Sequence, residues 1–255
     1  TGAPNDPRWD ELWGLRRVRL EAAWDRLARL QPAPRPTIVA VIDTGMAMNH
    51  EDLRDVLWTN PGEIPGNGVD DDGNGYVDDV HGFDFYDGDG DPEDAEGHGT
   101  HCAGTVAGVG DNGVGVIGVA SRYASIRLMP LRFLGPDGGF ISDAVLALEY
   151  AVTMGATISS NSWGGGGHSF AMAAALATAH EAGHLFVVAA GNEANDNDAN
   201  PSFPCAYDAP STVCVAATTA SDTMASYSNY GPRSVDIAAP GSEILSTWWP
   251  SGYAR

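Results

Sequence analysis

Thr37-Ile38-Val39-Ala40-Val41-Ile42-Asp43-Thr44-Gly45 is a continuous apolar, largely β-branched run that ends on a carboxylate. Polar residues do not alternate within it, which is the pattern of a strand buried on both faces of a parallel sheet. In open α/β sheets functional groups gather beyond the carboxyl ends of the strands. Asp43 stands at such an end and is therefore a candidate for chemistry as well as for a turn.

Downstream of this run, strands and helices alternate. Residues 125–131, 157–162, 185–190, 213–217 and 234–237 read as strands, and 141–154 and 170–182 as helices. The rhythm predicts an α/β fold, a mostly parallel central sheet with helices on both faces. No fixed-period repeat and no internal linker interrupts it. Upstream, Trp9, Leu12, Trp13, Arg16, Leu20, Ala23, Trp24 and Leu27 recur at three-to-four spacing, which predicts an amphipathic helix ended by Pro32, Pro34 and Pro36. Two parts result: an N-terminal helical approach segment, 1–36, and a domain over 37–255.

The chain has 255 residues, of which 43% are hydrophobic, enough for one large core. It carries 34 acidic against 13 basic side chains, a formal charge of −21, and every cation is arginine. Such a surface repels nucleic acid and anionic membranes and attracts multivalent cations. No apolar run approaches the ~18 residues of a membrane span. The chain begins at Thr1, so a processed protein whose leader is absent is expected.

Residues 60–97 form a long Gly-, Asp-, Asn- and Pro-rich loop, and loops of that length are usually functional or disordered. Within it Asp70-Asp71-Asp72-Gly73-Asn74-Gly75-Tyr76 has the Asp-x-Asp-x-Asn-Gly opening of a calcium loop. Oxygens from Asp70, Asp72, Asn74 and Tyr76 would converge on one hard cation, Gly75 would permit the sharp turn, and Asp79 or its neighbour Asp78 would complete the shell. His81 stands where an EF-hand has its bidentate Glu, so the loop is of that type without being an EF-hand. A second cluster, Asp87, Asp89, Asp91, Glu93 and Asp94, reads either as a solvated charge run or as a further cation site.

Gly97-His98-Gly99-Thr100-His101-Cys102-Ala103-Gly104-Thr105 follows this loop and opens a small-residue helix over 103–108. A histidine at that rim exchanges protons near neutral pH, but it needs a carboxylate to orient it and a nucleophile to serve. Asp43 is the candidate carboxylate. His180-Glu181-Ala182-Gly183-His184 matches a zinc-peptidase motif. Gly183, however, stops the helix before His184 enters a strand, so the two rings are expected on different elements.

Val41-Ile42-Asp43-Thr44-Gly45, His98-Gly99-Thr100-His101, Asn161-Ser162-Trp163-Gly164-Gly165, Ala189-Ala190-Gly191-Asn192 and Ala238-Ala239-Pro240-Gly241 resemble, in order and spacing, blocks of the subtilisin-like serine peptidases. Asn5-Asp6-Pro7, Trp13-Gly14-Leu15 and Ala23-Trp24 are similar to the family's N-terminal approach. The resemblance implies that Asp43 orients His98, that His98 is general base and then acid, and that the Asn192 amide serves the oxyanion. It implies that Ser162, Trp163 and Gly164 pair with substrate backbone and that Glu193 stands at the mouth of the S1 pocket. It implies a further Ca2+ site, with Asp52, the Asn112 side chain and the carbonyls of Val109, Val114 and Val116. Cys102 matches a buried thiol of some members. Cys205 and Cys214 flank a short loop that a disulfide would close, which fits an oxidising compartment.

The partners so implied are a peptide or protein substrate and the protein's own propeptide, and the place is outside the cell or in the lumen of a compartment. One departure is sharp. The family's Gly-Thr-Ser-Met-Ala nucleophile block is not among these residues, which end at Arg255 soon after Ala-Pro-Gly. The chain is therefore expected to be truncated just before that block, to lack the C-terminal helices, and to be inactive alone, with a separate C-terminal fragment as a further partner. The alternative is a non-catalytic, calcium-stabilised structural or binding subunit of a larger assembly.

Overall fold

A computed structural model describes residues 2–29, 36–122 and 125–255. Its centre is a seven-stranded sheet of β1 (Thr37–Asp43), β2 (Phe83–Asp84), β3 (Ile126–Arg132), β4 (Ile158–Asn161), β5 (Leu185–Ala189), β6 (Thr212–Thr218) and β7 (Ile237–Pro240). The order is β2-β3-β1-β4-β5-β6-β7, and every pairing is parallel.

β1 explains why its sequence does not alternate. Ala40 and Ile42 face a core that includes Leu148 of α4 (Ile141–Thr153) and Met172 and Leu176 of α5 (Phe170–Glu181). Val39 and Val41 face Ala103 and Ala107 of α3 (His98–Ala107) on the other side. Each fully buried aliphatic side chain contributes about 1.5–3 kcal/mol, so a charge anywhere in this strand before Asp43 would be strongly destabilising.

The N-terminal segment departs from the single helix expected of its spacing. A 3-10 turn over Trp9–Glu11 leads into α1 (Trp13–Arg17) and α2 (Leu20–Leu27), with Arg19 between them at φ 56°. The break has a packing cause: it lets Trp9, Leu12, Leu20 and Trp24 close on Val116, Ile117 and Leu245. The helix end expected near Pro32 and Pro34 lies outside the described residues. The last sheet strand also differs, beginning at Ile237, where 234–237 was expected. Just before it, Asp236 donates its N–H to the carbonyl of Cys214 at 3.0 Å and accepts the N–H of Cys214 on its Oδ2 at 2.8 Å, so a side chain takes the place of one backbone acceptor there.

After β7 a hairpin of β8 (Ser246–Trp248) and β9 (Gly252–Ala254) crosses α3. Thr247 Oγ1 donates to the carbonyl of Thr100 at 2.7 Å and Ser246 Oγ to that of His101 at 2.8 Å. Cys205 and Cys214 form a disulfide. Among the described residues no helix is long and apolar enough to cross a membrane.

Candidate active site

Asp43 ends β1, and His98 begins α3 directly above it. Two glycines make that approach geometrically allowed. Gly97 holds φ 105° at the helix start, and a Cβ on Gly99 would stand 2.1 Å from the carbonyl oxygen of Gly45. His98 Nδ1 thereby lies 2.7 Å from Asp43 Oδ1. The same carboxylate oxygen accepts the N–H of Thr44 at 2.8 Å. Asp43 is fully buried, while the His98 side chain remains 51% exposed.

A carboxylate only accepts, so Nδ1 carries the proton and the neutral ring presents its Nε2 lone pair outward. Among the described residues no serine hydroxyl hydrogen-bonds to that Nε2. The Asp43 hydrogen bond holds the His98 pKa above its ordinary value, and burial opposes it. Cys102 is one turn along the helix, near both groups. Burial pushes its thiol well up, so it is an un-ionised packing residue and a poor nucleophile. His101 is pushed down by burial and holds the carbonyl of Ile244 at 2.8 Å.

The strand register carries the rest of the site to the same sheet edge. Ser160 of β4 pairs with Val41, and Val188 of β5 pairs with Asn161. The chain leaves both strands at the carboxyl edge where Asp43 sits. Ser162, Trp163, Gly164, Asn192 and Glu193 all line one cleft there, of about 850 Å³. The Trp163 indole turns inward against Phe133 and Phe186. Glu193 Oε2 accepts the N–H of Asn192 at 2.9 Å and the Asn229 amide at 2.8 Å, which fixes the backbone around Asn192. The Asn192 side-chain amide makes no hydrogen bond among the described residues and is exposed.

The residues of the expected calcium loop hydrogen-bond among themselves. Asp70 spends both oxygens on the N–H groups of Gly73, Asn74 and Gly75. Tyr76 donates its N–H to Asn74 Oδ1 and packs its ring on Phe83, Phe85 and Tyr150. Asp72 and Asp79 do converge, and the third carboxylate beside them is Glu63, which the sequence pattern did not single out. Asn74 and Asn60 both direct amide N–H groups at Asp72 and Asp79. Glu63 Oε2 is buried without a partner. Three carboxylates within 4.8 Å of one another, one with an orphan oxygen, form a hard-oxygen set that suits Ca2+.

The second loop closes on Asp52, which is fully buried. Asp52 accepts the Asn112 amide at 2.7 Å and the N–H of Val116 at 2.9 Å. The carbonyls of Val109, Val114 and Val116 accept no hydrogen bond among the described residues. Asp6 reaches the same loop, accepting the N–H of Asp111 on Oδ2 at 3.0 Å, while its Oδ1 is buried and unpartnered. Burial holds the Asp6 pKa above its ordinary value. The loop therefore also fits a cation, with Asp6 an additional oxygen.

The other charged candidates resolve differently. Asp84 and Asp87 pair with Arg132, and Asp94 faces the start of α3. His180 belongs to α5, whereas His184 lies beyond Gly183, which has φ 78°. Both His184 nitrogens are already held, by Ala156 O at 2.8 Å and Ser159 Oγ at 2.9 Å. The His-Glu-x-x-His spacing therefore does not place two ligands on one helix face.

Residues 35–253 match the family model described as the subtilase family. The chain is 35% identical over 253 residues to thermitase of Thermoactinomyces vulgaris, covering 98% of this chain and 78% of that one. It is 37% identical over 275 residues to an extracellular protease of Xanthomonas campestris pv. campestris, covering 97% of this chain but 44% of that longer protein. Among solved structures, a protease of Pseudoalteromonas arctica superimposes with a TM-score of 0.75 at 28% identity, over 99% of this chain and 80% of that one. A cold-adapted subtilisin-like serine proteinase gives 0.64 at 30% identity, over 90% and 76%.

Proposed function

Because the chain belongs to the subtilase family of serine endopeptidases, we propose that it provides the acid–base and oxyanion parts of a peptide-bond hydrolase of the Asp-His-Ser type. The observation that carries this is the 2.7 Å contact of Asp43 Oδ1 with His98 Nδ1 at the carboxyl edge of β1, with Nε2 left facing outward. Asp43 holds the tautomer and steadies the imidazolium, and His98 takes the nucleophile's proton and returns it to the leaving amine. The Asn192 amide donates to the developing oxyanion, a contribution of about 3 kcal/mol in enzymes of this type. Ser162–Gly164 offer backbone to an extended substrate peptide. No serine among the described residues hydrogen-bonds to His98 Nε2, so the nucleophile of this triad is not assigned among them.

Calcium is the cation we assign to the two acidic loops. Glu63, Asp72 and Asp79 would hold one ion, and Asp6, Asp52, Asn112 and the carbonyls of Val109, Val114 and Val116 a second. The ions would neutralise the buried carboxylates of Glu63, Asp79, Asp6 and Asp52, together with the exposed Asp72. A secreted protein fits the Cys205–Cys214 disulfide.

The test is active-site labelling. The 255-residue chain is expected not to react with a fluorophosphonate probe. A form that continues through a Gly-Thr-Ser-Met-Ala block is expected to react, and to lose reaction with His98→Ala. Labelling of the 255-residue chain overturns the placement of the nucleophile outside it, and an extended form that stays unlabelled overturns the peptidase assignment and favours a binding subunit.

A further inference from the structure

Asp94 is 1% exposed and pairs with no cation among the described residues, yet it collects more donors than any other carboxylate near His98. Its Oδ1 accepts the N–H groups of Glu96 and Gly97, each at 2.9 Å, and the hydroxyl of Thr44 at 3.0 Å. Its Oδ2 accepts the N–H of Thr100 at 3.0 Å and the hydroxyl of Thr100 at 2.5 Å. These donors come from residues that flank both members of the candidate pair. Thr44 follows Asp43 at the end of β1, and Gly97 and Thr100 bracket His98 on α3. Thr44 closes the circuit by accepting the N–H of Gly99 on its own Oγ1 at 2.9 Å. Five donors converge on one buried carboxylate, which sits at the positive end of the helix that starts with His98.

We propose that Asp94 is the positioning residue of the Asp43–His98 pair, clamping the end of β1 to the first turn of α3 and supplying a second fixed negative charge beside the imidazole. The inference rests on the peptidase reading of that pair, but it concerns a residue that touches neither substrate nor reacting atoms. The other ionisable groups facing His98 are accounted for. Asp43 holds Nδ1 directly, and Glu96 is exposed to screening solvent. Cys102 is un-ionised, and burial keeps His101 neutral. Asp94 is the buried charge left over, and it acts in the same direction as Asp43 on the imidazolium.

The test is an NMR titration of the His98 ring in the intact protein, together with its thermal midpoint, for wild type, Asp94→Asn and Glu96→Gln. Asp94→Asn is expected to move the His98 midpoint down and to lower the melting temperature. Glu96→Gln is expected to leave both near wild type. An Asp94→Asn protein that melts earlier with an unmoved His98 midpoint reduces Asp94 to a structural cap and overturns the proposal. So does Glu96→Gln moving the midpoint as far as Asp94→Asn. Should Asp94→Asn fail to fold, Thr44→Val decides, because it keeps the charge and removes only the bridging hydroxyl. It is expected to weaken the low-field Nδ1–H signal that His98 shares with Asp43, and an unchanged signal overturns the clamp. None of these readouts needs turnover, so they stand apart from the labelling test of the peptidase reading.

Discussion

The phenol of Tyr253 lies 2.9 Å from Oδ2 of Asp52 and donates to it, tying the last strand of the chain to the loop around Asn112. A second tie runs alongside, from His50 Nε2 to the carbonyl of Gly252 at 2.9 Å. The hairpin that crosses α3 is thus anchored at its far end on a buried carboxylate. Tyr253→Phe is expected to lower stability by about 1 kcal/mol, the usual net value of one such bond. Urea unfolding would show a lower midpoint at an unchanged slope, and an unmoved midpoint would mean that the bond does not hold the hairpin.

The Asp43–His98 pair makes stability depend on pH in a definite direction. Asp43 raises the folded-state pKa of His98 above the ordinary 6.5. A raised value means that the pair's contribution is complete below the unfolded-state pKa and is lost as pH rises through the folded-state midpoint. The stability gap between wild type and Asp43→Asn is therefore expected to be widest at mildly acidic pH and to narrow above neutrality. A gap that stays constant across a urea series at several pH values contradicts the assignment. In a form that carries the serine nucleophile, hydrolytic activity, which needs the neutral ring as base, is expected to rise over the same interval.

Calcium is expected to stabilise the protein through Glu63, Asp72 and Asp79. At a free concentration of about 100 times the dissociation constant, a ligand that binds only the folded state contributes about 2.7 kcal/mol. Thermal melts in calcium against chelator would show the gain. Glu63→Gln, which removes charge at the buried orphan oxygen, should diminish it. Magnesium, which demands smaller and more regular coordination, should do less than calcium. Equal melts in calcium and chelator would remove both cation assignments.

The net charge of −21 predicts a general salt effect. Self-repulsion among surface carboxylates opposes the compact state, and at 0.15 M salt the screening length is about 8 Å. Sodium chloride is expected to raise the melting temperature of the calcium-free protein steeply at low concentration and then level off. A neutral osmolyte should not reproduce the steep early part. A melting temperature that falls as salt is added would show that ion pairs such as Arg122–Asp111 outweigh the repulsion.

Much of the site was legible because it lies at strand ends. The unbroken run 37–42 demanded a doubly covered strand, and Asp43 had to emerge where that strand meets solvent. The small-residue run after His98 likewise announced a helix there, and the close approach of its first turn shows at Gly99, which sits against the Gly45 carbonyl. The stop at Gly183 separated His180 from His184 on backbone grounds alone. The register of acidic loops was not legible. Asp70 matches the first position of a calcium loop and its carboxylate also holds its own turn, while Glu63, seven residues upstream, joins Asp72 and Asp79. Asp94 likewise looked like one more member of a charged run.

The sequence alone determined the parallel sheet, because periodicity is a local property of the chain, and the family, through the resemblance of its motif blocks, which also made Asp43, His98 and Asn192 the candidates. Only the tertiary structure decided which carboxylates face one another, why the first helix breaks at Arg19, and that Asp94 bridges Thr44 to Thr100. A carboxylate's partners are set by donors that arrive from distant segments. No short-range pattern distinguishes a solvated aspartate from one that gathers N–H and O–H groups in the interior.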